Sequence, residues 1–386
     1  MAHSAVLHPH TAALGATMLA TAAQSERLHY VQWLRVLLIC LVVGQHAAEP
    51  YVVTGGGWMV SDPAKSALLL APFVLNGTFF MGFFFLISGY FLDASLDRHG
   101  AAGVIGDRLL RLGVPLVLIV VFLNGAIGWA IEGEGTGYGP FLLTRYLPGA
   151  PEFGPLWFIA HLLIYITAYA LWRASFAGEA RWLRAPRAPG HRAILGFVLG
   201  LGAVTALTRI WYPIDDWVRI GGLIPAEPAR LPQYIGLFAI GIVAGRGRWF
   251  EEIDGRVAAT WFGVGAVVFA VTAALALPRL ALPDYVGLRI AWGFLEAPVG
   301  NGMILGLTVL ARRFWARTGP WLSRLEGPVY GVYLFHVYFV IGLQAALVGF
   351  GWPALAKWAL VTVAALVLSF GFATLLRRVP GARRIL

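Results

Sequence analysis

Stretches of about twenty apolar residues recur from one end of the chain to the other, and they restrict it to one class of structure. They fall near residues 31–52, 67–92, 112–131, 155–172, 194–211, 231–249, 257–277, 288–310, 328–350 and 355–376. A segment of this length in hydrocarbon satisfies its backbone hydrogen bonds as a helix. The sequence therefore predicts an all-α, polytopic integral membrane bundle of about ten transmembrane helices, with both termini on one side. With 59% hydrophobic and 12% charged residues, the 386-residue chain leaves no soluble block between these segments.

The formal charge of +10 would suit a nucleic-acid partner if it lay on one polar face. It does not. The basic residues sit in short loops between apolar segments, so the expected partner is the lipid bilayer, with no nucleic acid. Lys and Arg divide unevenly across the ten-span map, 21 on the side that holds both termini and 8 on the other. The positive-inside rule makes the richer side cytoplasmic and implies a multi-pass protein of the cell (inner, cytoplasmic) membrane. Residues 1–26 are read as a mobile cytoplasmic tail, 27–378 as the membrane domain, and 379–386 as a short basic cytoplasmic tail. A single cysteine, Cys40, excludes a disulfide framework or a Cys-based metal site. The two longest outer loops, 132–154 and 212–230, are rich in Gly, Pro and acidic residues and are expected to be irregular and exposed.

The first span carries the residues that suggest chemistry. Arg35 and His46 are eleven residues apart. That is close to three helical turns, so both share a face, roughly 16 Å apart along the axis. Ionisable groups at membrane depth are costly unless they face a bundle interior or a water-filled cavity. A second constellation is Asp107-Arg108-Leu109-Leu110-Arg111-Leu112-Gly113-Val114-Pro115, expected in a cytoplasmic loop. Arg108 and Arg111 are three apart and point the same way on a helical turn. Such a pair alone reads as lipid head-group anchors. Joined to Arg35 at the same depth, it forms a clamp for phosphates, because guanidinium binds phosphoryl oxygens through two donors.

These elements, taken in order, resemble the membrane acyltransferase-3 family. Arg35 and His46 match its first-helix motif, and Arg108-Leu-Leu-Arg111 its second. Phe83-Phe84-Phe85-Leu86-Ile87-Ser88-Gly89-Tyr90-Phe91-Leu92, Gly154-Pro155-Leu156-Trp157-Phe158-Ile159 and Gly331-Val332-Tyr333-Leu334-Phe335-His336 extend the likeness from about residue 27 to 376. The finer texture is similar to the branch of the glucan biosynthesis protein C type, which succinylates glucans. The resemblance implies an acyltransferase that moves an acetyl or succinyl group from cytoplasmic acyl-CoA to a hydroxyl of a glycan or other polar acceptor. Acyl-CoA is then a co-substrate, with no permanently bound cofactor. Arg35, Arg108 and Arg111 would hold the donor's phosphates, and the pantetheine arm would bring the thioester towards His46.

Neutral imidazole at His46 suits a general base. The bland reading is a histidine hydrogen-bonded to a neighbouring helix. Glu49, three residues on, is a candidate to orient it, or else marks the end of the span before Pro50. Arg209, His336, Tyr333 and Glu296 are candidates for the acceptor or acyl path. Glu296 needs an arginine from another helix, and Arg209 either grips an anion or snorkels to the interface. His161 and Ser88 read as packing residues. The competing function is a proton-coupled transporter or flippase of a polar glycan or metabolite, with His46, Glu296 and His336 as a proton relay. Such a transporter has no need of the arginine cluster.

The charge asymmetry predicts a labelling pattern. In a Cys40→Ser background, Ala102→Cys should react in intact cells only with membrane-permeant thiol reagents, and Gly137→Cys with impermeant ones. Labelling of both from one side would break the ten-helix map.

Overall fold

The computed structural model describes residues 29–54, 58–149, 151–176, 186–276, 286–315 and 320–385. The expected tail 1–26 lies outside them, as do Arg27, Arg181, Arg184, Arg279 and Arg317. The described chain is an all-α bundle with one small β-ribbon. Its main helices are α1 (His29–Ala48), α2 (Phe80–Arg108), α3 (Trp157–Phe176), α4 (His191–Thr208), α5 (Leu231–Arg246), α6 (Gly255–Ala276), α7 (Val286–Phe314), α8 (Val329–Leu347) and α9 (Ala354–Leu376).

Eight helical stretches among the described residues are long and apolar enough to cross a membrane. Two features separate this from the expected ten. The second and third expected spans lie in one continuous run of helical segments, Ala67–Glu132. The sixth, α5, has 16 residues, which rise roughly 24 Å and fall short of a hydrocarbon core of about 30 Å.

Three local expectations are corrected. The second span does not stop near residue 92; α2 continues until Gly100, whose positive φ of 67° breaks the helix, and then resumes to Arg108. Arg108 and Arg111 therefore stand on helical backbone, not in a loop. The segment after Arg108 is a chain of short α and π turns from Leu109 to Glu132. The loops 132–154 and 212–230 are also more ordered than their composition suggested. Tyr138–Phe141 and Leu142–Tyr146 are helical, and β1 (Val218–Ile220) pairs antiparallel with β2 (Ile224–Ala226) around Gly221 and Gly222. Glu227, expected to be exposed, is 5% exposed. Burial pushes its carboxyl up, against the pull of Arg230.

α1 runs through the bundle and packs against α2, α7, α8 and α9. Tyr30, Val31, Leu34, Leu38, Ile39, Val42 and Val43 are all sealed from the surface. Lipid tails are as apolar as leucine, so contact between helices rests on close packing and not on a hydrophobic difference. The tightest such contact joins α2 and α5. A Cβ at Gly241 would strike the backbone of Leu86, and one at Gly245 the backbone of Tyr90. Gly241 and Gly245 are four residues apart, a small-xxx-small pair on one helix face. Gly241→Val should force the two backbones apart and cost about 1–3 kcal/mol. The expected readout is a lower thermal unfolding midpoint in detergent than for Gly263→Val, where a Cβ meets nothing within 4 Å. Equal midpoints would show that this contact does not hold the bundle.

Candidate functional site

The two ends of α1 gather two different chemistries. At the first, Arg35 donates to Gln32 Oε1 at 3.2 Å and lies 5.2 Å from the centre of the Phe91 ring on α2. Arg35 feels the positive charge of Arg108 and the negative charge of Glu326, and Arg108 in turn feels Arg111. Arg108 pairs with Asp107 at 3.4 Å, while its Nε is buried without a partner. Arg111 sits on the π-helical turn Leu109–Gly113 and is exposed.

Pro115 explains how that turn is anchored. A proline lacks the N–H that would bond to the carbonyl four residues earlier, here that of Arg111. The Tyr330 hydroxyl on α8 donates to this carbonyl at 2.9 Å. The fold thus brings Arg35, Arg108 and Arg111 together, the first half-buried on α1, the second at the end of α2 and the third on the turn that α8 holds. Three guanidiniums with few carboxylates among them can take several anionic oxygens at once. Other arginines that counted equally in the charge tally are occupied. Asp93, 4% exposed on α2, receives Arg173 at 2.7 Å and Tyr169 at 3.0 Å, and pairs also with Arg246.

At the other end of α1, His46 is half-buried. Its ring stacks on Trp58, with centroids 5.2 Å apart and planes inclined by 14°. It also lies 5.2 Å from the ring of His336 on α8. Trp58 Nε1 donates to Gln344 Oε1 at 2.7 Å, and Gln344 Nε2 donates to the His46 carbonyl at 2.8 Å. The structure does not bring Glu49 to the imidazole. Among the described residues no hydrogen bond joins them, and His46 Nδ1 is buried without a partner. The helical spacing assumed for that pair ends at Ala48, where Glu49–Tyr51 turns into a 3-10 helix containing Pro50.

Trp58 belongs to a segment that closes over this end. Asp62, 1% exposed, receives Lys357 of α9 at 2.7 Å, and Lys357 is itself fully buried. Lys65 donates to the Pro50 carbonyl at 2.9 Å, and the Ser66 N–H to the Tyr51 carbonyl at 2.8 Å. Breaking a buried ion pair from one side costs about 3–5 kcal/mol, so Asp62 is a firm attachment for the segment.

The path candidates fall in separate places. Tyr333 donates to the Pro155 carbonyl, and its own carbonyl lies 2.8 Å from His336 Nδ1. Arg209, just beyond α4, does not snorkel. It is fully buried and pairs with Glu296 of α7 at 2.6 Å, which supplies the partner that Glu296 needs. Among the described residues, Arg209 Nε and Nη1 and Glu296 Oε2 have no hydrogen-bond partner. His161 reaches the Pro225 carbonyl at 3.0 Å and braces the β-ribbon.

Trp58, Gln344, Asp62 and Asp93 were not anticipated from the sequence. Lys357 carried a signal, as a lysine inside an apolar span, but its partner lies 295 residues away.

The chain matches the acyltransferase domain family over residues 28–378. No curated protein and no solved structure matches it. A family match that takes in every main helix, on a polytopic helical bundle, shows that this chain belongs to the membrane acyltransferase-3 family.

Proposed function

We propose that the protein is an integral membrane O-acyltransferase of the inner membrane. It moves an acetyl or succinyl group from cytoplasmic acyl-CoA to a hydroxyl of a glycan or other polar acceptor. A succinyl donor and a glucan acceptor would follow from its texture, similar to the glucan biosynthesis protein C branch. One observation carries the proposal: a single buried helix bears near one end Arg35, which Arg108 and Arg111 join from α2 and the turn after it, and a half-buried imidazole at the other. Arg35 and His46 are separated by roughly 16 Å of helix rise, a gap suited to a donor with a phosphate-rich head and a long flexible arm. Arg35, Arg108 and Arg111 bind the phosphates from the cytoplasmic side. On this reading Tyr333 and His336 of α8, on the His46 side, line the acceptor path, and Arg209 and Glu296 form a buried pair.

In the reaction, the acceptor hydroxyl gives its proton to His46 as its oxygen attacks the thioester carbonyl carbon. The C–S bond then breaks, and the departing thiolate takes the proton back from the imidazolium. The products are an ester and free CoA. Water excluded by the Trp58 segment is water that cannot intercept the thioester.

Purified protein in detergent should consume acetyl-CoA or succinyl-CoA in the presence of a glucan. His46→Ala should lose about 10²–10⁴ in turnover while still binding CoA. Arg35→Ala, Arg108→Ala and Arg111→Ala should each weaken CoA binding by about 1.5–3 kcal/mol, with Lys restoring it only in part because it lacks the planar fork. Near-normal transfer by a well-folded His46→Ala protein would remove the base. Unchanged CoA affinity in all three arginine variants would remove the clamp. Glycan transport without thioester consumption would favour the transporter reading.

A further inference from the structure

The His336 ring is held so as to leave one nitrogen with a defined and unmet need. It is fully buried on α8. Its Nδ1 lies 2.8 Å from the carbonyl of Tyr333, one turn earlier on the same helix. A carbonyl only accepts, so this nitrogen carries the proton, and Nε2 keeps its lone pair. That Nε2 is buried and has no donor among the described residues. His46 presents the complement. When its Nε2 holds the lone pair that a base requires, its Nδ1 carries the proton, and Nδ1 is buried with no acceptor. The two rings have centroids 5.2 Å apart and planes inclined by 30°.

An unmet buried donor and an unmet buried acceptor each forgo the hydrogen bonds that water would give them. Rotation of either ring at this separation can join them and meet both needs. Trp58 limits how else His46 can turn, since it stacks on the ring and is tied through Gln344 to the His46 backbone. We infer that His336 is the positioning residue of the reaction: its Nε2 accepts the Nδ1–H of His46 and fixes the tautomer that offers His46 Nε2 to the acceptor hydroxyl. This rests on the transferase reading above.

The proton balance is simple. The acceptor's proton enters at His46 Nε2 and leaves with the thiolate. The Nδ1 proton stays on His46 throughout, and His336 neither gains nor loses one. As His46 becomes an imidazolium, its Nδ1–H becomes a charged donor and the bond to His336 strengthens. The interaction is thus worth more in the transition state than before it, which is what accelerates a reaction. A neutral imidazole fits this place better than a carboxylate, because it needs no buried negative charge in the bundle.

Two arms test the assignment. In protein labelled with ¹⁵N-histidine, imidazole chemical shifts report tautomers without any turnover. The expected result is Nδ1–H for both His46 and His336, with His46 becoming a mixture of tautomers in His336→Leu. In the second arm, consumption of acetyl-CoA and succinyl-CoA in the presence of a glucan is followed for His336→Leu and His336→Gln. Leu should lower kcat about a hundredfold, less than the ~10⁴ that a wrong tautomer costs a triad histidine, with KM for the thioester unchanged. Gln, whose Oε1 accepts, should recover part of the loss. An Nε2–H tautomer for His46 in the wild-type protein, or equal kcat losses in Leu and Gln, would overturn the proposal. If the wild-type protein consumes neither thioester, the transferase reading fails, and the tautomer arm still decides the histidine pairing.

Discussion

A charged side chain withdrawn from water must find its partner inside the protein, and the bundle meets that constraint with pairs that join distant elements. Asp62 and Lys357, Arg209 and Glu296, and Asp93 with Arg173 and Arg246 are partners from distant parts of the chain. Each pair crosses between elements and so fixes which helices are neighbours. Replacing such a pair with apolar side chains is often neutral or stabilising, whereas removing one partner alone strands a buried charge. These contacts therefore set the arrangement more than they add stability. Packing supplies the cohesion, as where Gly241 and Gly245 let α5 lie directly on the backbone of α2.

Within that arrangement α1 is the exception. Its neighbours seal its apolar side chains, yet Arg35 and His46 are only half-buried, and among the described residues neither has a carboxylate bound to it. Buried groups that are fully satisfied hold structure; groups left with open valences at membrane depth are available for ligands or protons. The contrast between Arg173, bound to Asp93, and Arg35, bound among the described residues to a glutamine and an aromatic face, is the physical distinction between an anchor and a candidate binding residue.

Pro115 and Pro50 show how single residues place the two ends of the site. Pro115 frees the Arg111 carbonyl, which Tyr330 then claims, and this ties the arginine turn to the helix that also carries His336. Pro50 ends the regular geometry of α1 just past His46 and turns the chain towards Tyr51, whose carbonyl receives the Ser66 N–H of the segment bearing Trp58. α8 thereby touches both the arginine end and the imidazole end of α1, through Tyr330 and His336.

The sequence alone determined the class of fold, the membrane-length helices and the common face of Arg35 and His46. These are local properties: twenty apolar residues in hydrocarbon have one way to satisfy their backbone, and a helix has a fixed period. It also exposed Glu296 as a charge in need of a partner, because intramembrane charge is costly wherever the partner lies. Only the tertiary structure decided who the partners are. Arg209 finds Glu296 across 87 positions, and Trp58 finds Gln344 across 286. It also moved the candidate neighbour of His46 from Glu49, three residues away, to His336, which is remote in sequence and adjacent in space. Periodicity reaches only as far as a helix continues; beyond Pro50, contacts depend on which helices pack together, and that is settled by side-chain shape and charge pairing over the whole chain.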